Sequence, residues 1–362
     1  MATVSGENGG SVPPRIAVVL FNLGGPDSLE AVQPFLFNLF NDSAIVRAPQ
    51  PIRWYLATMI SNRRARVARD IYAQIGGASP LLELTREQAA MLEAVLAGLG
   101  EVRVFIAMRY WHPMSEETAL EVKAFDADEV VLLPLYPQFS TTTTASSLAA
   151  WRRAAEKAAV TARVRAVCCY PTAEDFVAAH AALIAPALAD AGTSRPPRLL
   201  FSAHGLPKHI LARGDPYVWQ VERTAQAIAA ALGSEFADLD WRVCYQSRVG
   251  PLEWVGPSTK DELARAGADG VPVVVAPIAF VSEHSETLVE LDIEYRKLAL
   301  ENGVPAYVRV PALGTQPSFI AALAALVRGA LDGAPGLCSH VGGRVCPGRY
   351  GGCPQPREGI EP

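Results

Sequence analysis

Hydrophobic positions along the chain follow two alternating patterns. Short runs rich in Val, Ile and Leu read as buried strands at residues 16–22, 102–108, 129–134, 164–169, 198–202, 241–245, 271–277 and 306–310. Between them, apolar residues recur at the helical period over residues 28–40, 51–75, 85–99, 115–125, 146–158, 173–191, 218–232, 258–266, 283–301 and 317–331. Strands alternating with helices predict an α/β protein whose parallel sheets are covered by helices. Four strands precede residue 191 and four follow it, with a polar, Pro-containing joint at 193–197. The expected architecture is two similar, doubly wound, Rossmann-like halves facing each other across a cleft. The boundaries read 1–14 for a loose leader, 15–191 and 192–332 for the two halves, and 333–362 for a Gly/Pro-rich tail. In such sheets ligands bind beyond the carboxyl ends of the strands, so residues just after each strand carry the chemistry.

Half of the residues are hydrophobic and 19% are charged, enough to build a large core and too apolar for wholesale disorder. Lys and Arg total 32 against 37 Asp and Glu, with no basic stripe for nucleic acid. The longest apolar stretch, near 271–281, is broken by Pro272 and Pro277 and falls short of the roughly 20 residues a membrane span needs. The polar, Gly-rich start lacks the basic and apolar regions of a signal peptide, so a cytosolic leader is expected. Six cysteines in a long chain of this kind argue against a disulfide framework, yet Cys338, Cys346 and Cys353 crowd into the last 25 residues.

Three strand ends stand out. The first runs into Asn22-Leu23-Gly24-Gly25-Pro26, read as a tight turn rather than a phosphate loop, since neither glycine signature fits. The fifth ends in Phe201-Ser202-Ala203-His204-Gly205-Leu206-Pro207, which holds His204 on a rigid turn at the sheet edge, either as a base or metal ligand or simply hydrogen-bonded within the turn. The seventh opens a helix in which Glu283, Glu286, Glu290 and Glu294 share an arc of about 80° on an ideal α-helix. His284, Leu288, Leu291 and Tyr295 take its packed side. An ordinary solvated acidic face is the plainer reading, but no Lys or Arg meets the stripe before Arg296. Carboxylates with a nearby histidine suit Fe²⁺. Arg63, Arg64, Arg109-Tyr110-Trp111 and Tyr245 through Trp254 add forked donors and aromatic faces for a flat, anionic partner.

Together with Ile75-Gly-Gly-Ala-Ser-Pro80, Pro134-Leu-Tyr-Pro-Gln138, Ser146-Ser147, Tyr245-Gln-Ser-Arg-Val-Gly-Pro251 and the run from Ser282 to Tyr295, these segments resemble the ferrochelatases over residues 15–330. Those enzymes insert Fe²⁺ into protoporphyrin IX to make haem. The resemblance implies a chelatase-like fold and assigns roles. His204 matches the active-site histidine and proton acceptor, and Glu286 the glutamate on the opposite side of the ring, both touching the substrate iron. His284 matches a second histidine near the site, and Glu290 and Glu294 an acidic path for protons or cations. The helix that carries them is expected to contain a π-bulge. Arg64, Tyr72 and Ser79 match residues holding the porphyrin propionates, Arg109 and Tyr110 the pocket floor, and Trp254 the pocket wall. Phe35-Leu36-Phe37 and Leu39-Phe40 match an apolar lip that touches the membrane. A cytoplasmic protein, peripheral on the inner membrane and capable of forming a homodimer, is the implied setting.

Some relatives bind a [2Fe–2S] cluster through C-terminal cysteines. Here Cys338, Cys346 and Cys353 are the implied ligands, with a fourth from Cys168 or Cys169. Neighbouring strand residues point to opposite faces, so one of the two is expected to ligate. Zinc or free thiols are the alternatives, and Cys244 reads as core. Rival functions are a coproporphyrin ferrochelatase, a cobalt chelatase and a non-catalytic tetrapyrrole-binding protein.

Overall fold

The computed structural model describes residues 13–191 and 195–356. The expected leader lies outside them except for Pro13 and Pro14, as do Thr193 and Ser194 of the joint. All eight expected strands form: β1 (Arg15–Asn22), β2 (Glu101–Met108), β3 (Glu129–Pro134), β4 (Arg163–Val167), β5 (Arg198–His204), β6 (Trp241–Gln246), β7 (Val273–Pro277) and β8 (Tyr307–Arg309). A ninth, β9 (Gly336–Cys338), comes from the tail and pairs with β4. Its three residues are too short a run for hydrophobic periodicity to reveal.

Every strand pair is parallel, in two sheets of order β2-β1-β3-β4-β9 and β6-β5-β7-β8. Leaving β9 aside, the two orders are the same, as expected for similar halves. In each sheet the chain leaves its first strand toward one side and later returns on the other. The crevice at that reversal lies outside the carboxyl ends of β1 and β5, where a ligand binds in sheets of this kind.

The helices are α1 (Val32–Phe40), α2 (Gln50–Ala73), α3 (Leu81–Leu96), α4 (Ser115–Phe125), α5 (Thr144–Lys157), α6 (Glu174–Ala191), α7 (Lys208–Leu211), α8 (Tyr217–Ala231), α9 (Thr259–Asp269), α10 (Arg296–Glu301) and α11 (Pro317–Asp332). Two of them exchange sheets: α6 packs on β7 and β8, while α11 packs on β3 and β4. One continuous apolar core therefore runs from Val18, Leu20 and Leu133 through Phe176 and Phe319 to Phe201 and Val274. At about 25 cal/mol per Å² of apolar surface removed from water, this shared core holds the sheets in register.

A buried polar bridge adds direction to that adhesion. Gln88 of α3 donates from Nε2 to the carbonyls of Val281 (3.1 Å) and Gly314 (2.9 Å), and accepts from Ser282 Oγ (3.1 Å). It ties the first half to the loop that follows β7. Replacing Gln88 with Leu keeps the bulk but leaves the Gly314 carbonyl without its donor. The expected cost is about 1–3 kcal/mol, read as a lower urea midpoint at unchanged slope. An unmoved midpoint would show that the bridge contributes nothing.

Candidate active site

His204 is the last residue of β5, and the segment after β7, its neighbour in the sheet, brings Glu286 to it. His204 Nδ1 lies 3.0 Å from Glu286 Oε2, and both side chains are half-buried. His284 is buried, with Nε2 3.9 Å from the same oxygen and Nδ1 without a partner among the described residues. Burial disfavours charge on His204, but Glu286 and then Glu290 outweigh it and raise its pKa above the usual 6.5. Glu286 also pays a burial cost, which the His204 charge overturns to bring its pKa down to about 2. Burial dominates at His284, so its pKa falls and it stays neutral.

The resemblance places Glu286 across a ring from His204, whereas in this structure the two side chains are in direct contact. A flat macrocycle needs about 3.5 Å of clearance on each side, and the two side chains touch. The contact between them leaves no such gap in this structure.

The carboxylate row also differs from the ideal helix. Residues Glu286–Tyr295 form a π-helix, wound wider throughout rather than at a single bulge. Glu283 precedes it and leaves the row. It pairs with Arg309 of β8 at 2.7 Å and accepts the Ala312 N–H at 2.9 Å, a partner from sequence positions the helical arc did not include. Glu290 accepts from Tyr295 OH (2.7 Å), Ser247 N (2.9 Å), Gln246 Nε2 (3.2 Å) and Ser247 Oγ. Glu294 is exposed, so the row still descends from the crevice to solvent. Ser247 adopts a left-handed φ of 63°, a strained choice for a non-glycine that its Glu290 contacts hold in place.

From the first half, the β1 turn meets the loop after α2. A Cβ on Gly25 would stand 2.4 Å from Ser79 Oγ, so only glycine permits this approach. Tyr72 is buried, and burial pushes its hydroxyl up to about 12, with Ser285 beside it countering the shift. Arg64 is half-buried with no acidic partner among the described residues, and burial alone lowers its pKa. Trp254 is partly buried, its ring 6.5 Å from the His204 ring and nearly perpendicular to it, at 75°. Arg109 and Tyr110 are engaged elsewhere: Asp42 Oδ2 accepts from Arg109 Nη2 and from Tyr110 OH, each at 2.8 Å.

The geometry has known counterparts. The family model described as Ferrochelatase matches residues 15–331. Ferrochelatases of Hyphomonas neptunium and of Caulobacter vibrioides strain NA1000 are each 54% identical to this chain, covering 94% of it and 95% and 97% of their own lengths. This chain belongs to the ferrochelatase family. Among solved structures, SirB from Bacillus subtilis with Fe³⁺ shares the fold at a TM-score of 0.52 and 15% identity, over 88% of this chain and 96% of its own. As a ferrochelatase-family protein it is a metal chelatase acting in haem biosynthesis, with porphyrin and ferrous iron as substrates.

The stretch matched to an apolar lip packs partly into the core. Phe35 and Leu36 are buried against Val32, Tyr72 and Tyr110, and Phe37, Leu39 and Phe40 are half-buried. Exposed large apolar side chains on the neighbouring α2 include Ile52, Trp54, Tyr55 and Met59. No helix among the described residues is long and apolar enough to cross a membrane.

The tail folds back onto both halves. β4 ends at Val167, so Cys168 and Cys169 lie past the strand and strand alternation does not separate them: their sulfurs are 3.4 Å apart. Gln220 of α8 donates from Nε2 to Cys169 Sγ (3.4 Å) and Cys346 Sγ (3.1 Å). Cys346 in turn hydrogen-bonds Cys353, which is drawn down to about 6 chiefly by that bond. Cys338 is raised to about 11, first by burial and then by the neighbouring Cys168. Among the described residues no group of three or more His, Cys, Asp or Glu is placed to hold a metal ion. In kind, though, these five adjoining thiols include enough for a bridged cluster, which would divide four thiolates between two irons. Cys244 is core, fully buried.

Sequence reasoning missed Asp42, Gln246, Ser247 and Gln220. Gln246 and Ser247 sat inside a quoted segment, at the carboxyl edge of β6, and that position was the available signal. Asp42 and Gln220 are marked by no local pattern, because their partners come from distant elements.

The ion pair sets a pH dependence. Its contribution to stability is present above the ordinary glutamate range near 4.5 and is lost as pH falls toward 2 or rises through the elevated His204 pKa. Neutral His204, the form able to accept a proton, grows as pH rises through that pKa. Glu286→Gln removes the countercharge, so the His204 titration followed by NMR should move to lower pH. No movement would mean that Glu286 does not control His204.

Proposed function

We propose that the protein inserts Fe²⁺ into protoporphyrin IX to give protohaem, and that His204 accepts a pyrrole proton. The observation that carries the reading is the His204–Glu286 contact at the carboxyl edge of β5. With Nδ1 donating to Glu286, the ring is held in the tautomer whose Nε2 lone pair is free, and Nε2 has no partner among the described residues. Taking the proton makes an imidazolium that Glu286, ionised down to about pH 2, stabilises on the spot.

The reaction needs no nucleophile. Iron replaces two pyrrole N–H protons, so the protein must bend the macrocycle, accept protons and strip water from the metal. Trp254, edge-on to His204, supplies an apolar wall for the ring. Neutral His284 beside Glu286 gives the incoming ferrous ion a nitrogen donor next to a carboxylate. Arg64, a half-buried cation without an acidic partner, receives substrate carboxylate with Tyr72 and Ser79. For a membrane surface, the exposed row Ile52, Trp54, Tyr55 and Met59 offers the contact.

Cys338, Cys346, Cys353 and one of Cys168 and Cys169 hold a [2Fe–2S] cluster in this reading. When bound, such a cluster supplies one-electron redox chemistry and a cross-link. The chain's own part is to bring tail thiols against the β4 end and to direct the Gln220 amide at two of the sulfurs.

The protein should be purified without oxygen, its visible spectrum recorded, and Fe²⁺ then added with protoporphyrin IX. Haem should form, and His204→Ala should cut the rate by about 100-fold or more while porphyrin fluorescence still reports binding. Binding of both protoporphyrin and coproporphyrin without metal insertion would leave a carrier. Broad visible absorption that Cys353→Ser abolishes is the expected cluster signature. A colourless, iron-free protein would remove the cluster.

A further inference from the structure

Just past the carboxyl ends of β1 and β2, where the Arg109 N–H meets the Asn22 carbonyl at 2.8 Å, lies a neutralised cation. Asp42, just beyond α1, is buried, and its two oxygens accept from two other segments and from its own loop. Oδ2 takes Arg109 Nη2 and Tyr110 OH, both at 2.8 Å, and the Ser146 hydroxyl of α5. Oδ1 takes the Ala44 N–H at 2.9 Å. Arg109 also donates from Nε to Ser146 Oγ at 2.7 Å. Burial works against the Asp42 charge, but Arg109 and the hydrogen bonds hold its pKa below the ordinary value. The charges of Asp42 and Arg109 cancel in place.

Arg64 on α2 differs: it is half-buried and faces no acid among the described residues. One guanidinium around this crevice is thus open to an anion and the other is closed. A buried cation without its counterion attracts any carboxylate that reaches it, whereas a paired one offers nothing to repay the desolvation of a second anion.

We propose that Asp42 is a specificity-determining residue that selects a porphyrin with two carboxylates over one with four, by cancelling Arg109. This rests on the porphyrin-chelatase reading of the site. Carboxylates are received on the Arg64 side, and the floor, electrically neutral, accepts the apolar edge of the ring. Discrimination by withholding a partner from the wrong substrate is as effective as adding one for the right substrate.

The test is metal-free binding, read by porphyrin fluorescence, of protoporphyrin IX and coproporphyrin to the full chain. Asp42→Asn uncovers Arg109 and should shift the ratio of the two Kd values about tenfold toward the tetracarboxylate. Arg109→Gln uncovers Asp42 and should shift the ratio in the opposite direction by a similar factor. The double variant should return it to the wild-type value, a pattern that a merely structural role would not give. If Asp42→Asn does not fold, Arg109→Gln decides alone. An unchanged ratio in either folded single variant overturns the proposal. Failure of metal insertion by the wild type would overturn the enzyme reading instead, while the binding ratio would still report on Asp42.

Discussion

The site depends on β5 and β7 being neighbours in one parallel sheet. That pairing sets the carboxyl end of β5, with His204, beside the segment leaving β7, with Glu286, so that two groups 82 positions apart in sequence meet at 3.0 Å. The contact supplies what each group lacks alone. Burial would neutralise the histidine and protonate the glutamate; together they keep charge in the crevice, raising one pKa and depressing the other. The tautomer, the direction of the free imidazole nitrogen and the location of negative charge all follow from this one hydrogen bond.

Around the pair, buried polar side chains rather than loops set positions. Gln88 ties α3 to the loop after β7, Gln246 joins Ser202 (2.7 Å) to the π-helix backbone and to Glu290, and Gln220 draws two thiols to α8. Asp42 does the same for Arg109, Tyr110 and Ser146. Each group sits in low dielectric, where an unmet donor or acceptor is costly, so the arrangement that satisfies all of them is strongly preferred over its alternatives. The apolar core makes the halves adhere, and these amides and carboxylates determine how.

The exchange of α6 and α11 between sheets explains why the crevice is one structure rather than two facing edges. A helix from each half covers the other's sheet, and β9 then extends the first sheet with chain from beyond the second. The tail is thereby brought to the end of β4 and to α8, and its thiols lie on the same scaffold as His204 and Glu286.

The strands and helices were legible in the chain because burial on both faces leaves continuous apolar runs, and half-buried helices repeat at 3.6 residues. His204, Glu286 and the family's other marked positions were legible because rigid turns and charged helix faces stand out locally. The ideal helical arc failed at Glu283, since Arg309 arrives from β8, and the wider winding of Glu286–Tyr295 changes which carboxylates share a face. The lip residues Phe35 and Leu36 turned inward because Tyr72 and Tyr110 offered them a core. The contact of Glu286 with His204, the pairing of Arg109 with Asp42 and the meeting of Cys168 with Cys169 were decided by tertiary structure alone. Local sequence determines what a residue can do and which element carries it; a charge or a lone pair becomes functional only through partners that the fold brings from elsewhere.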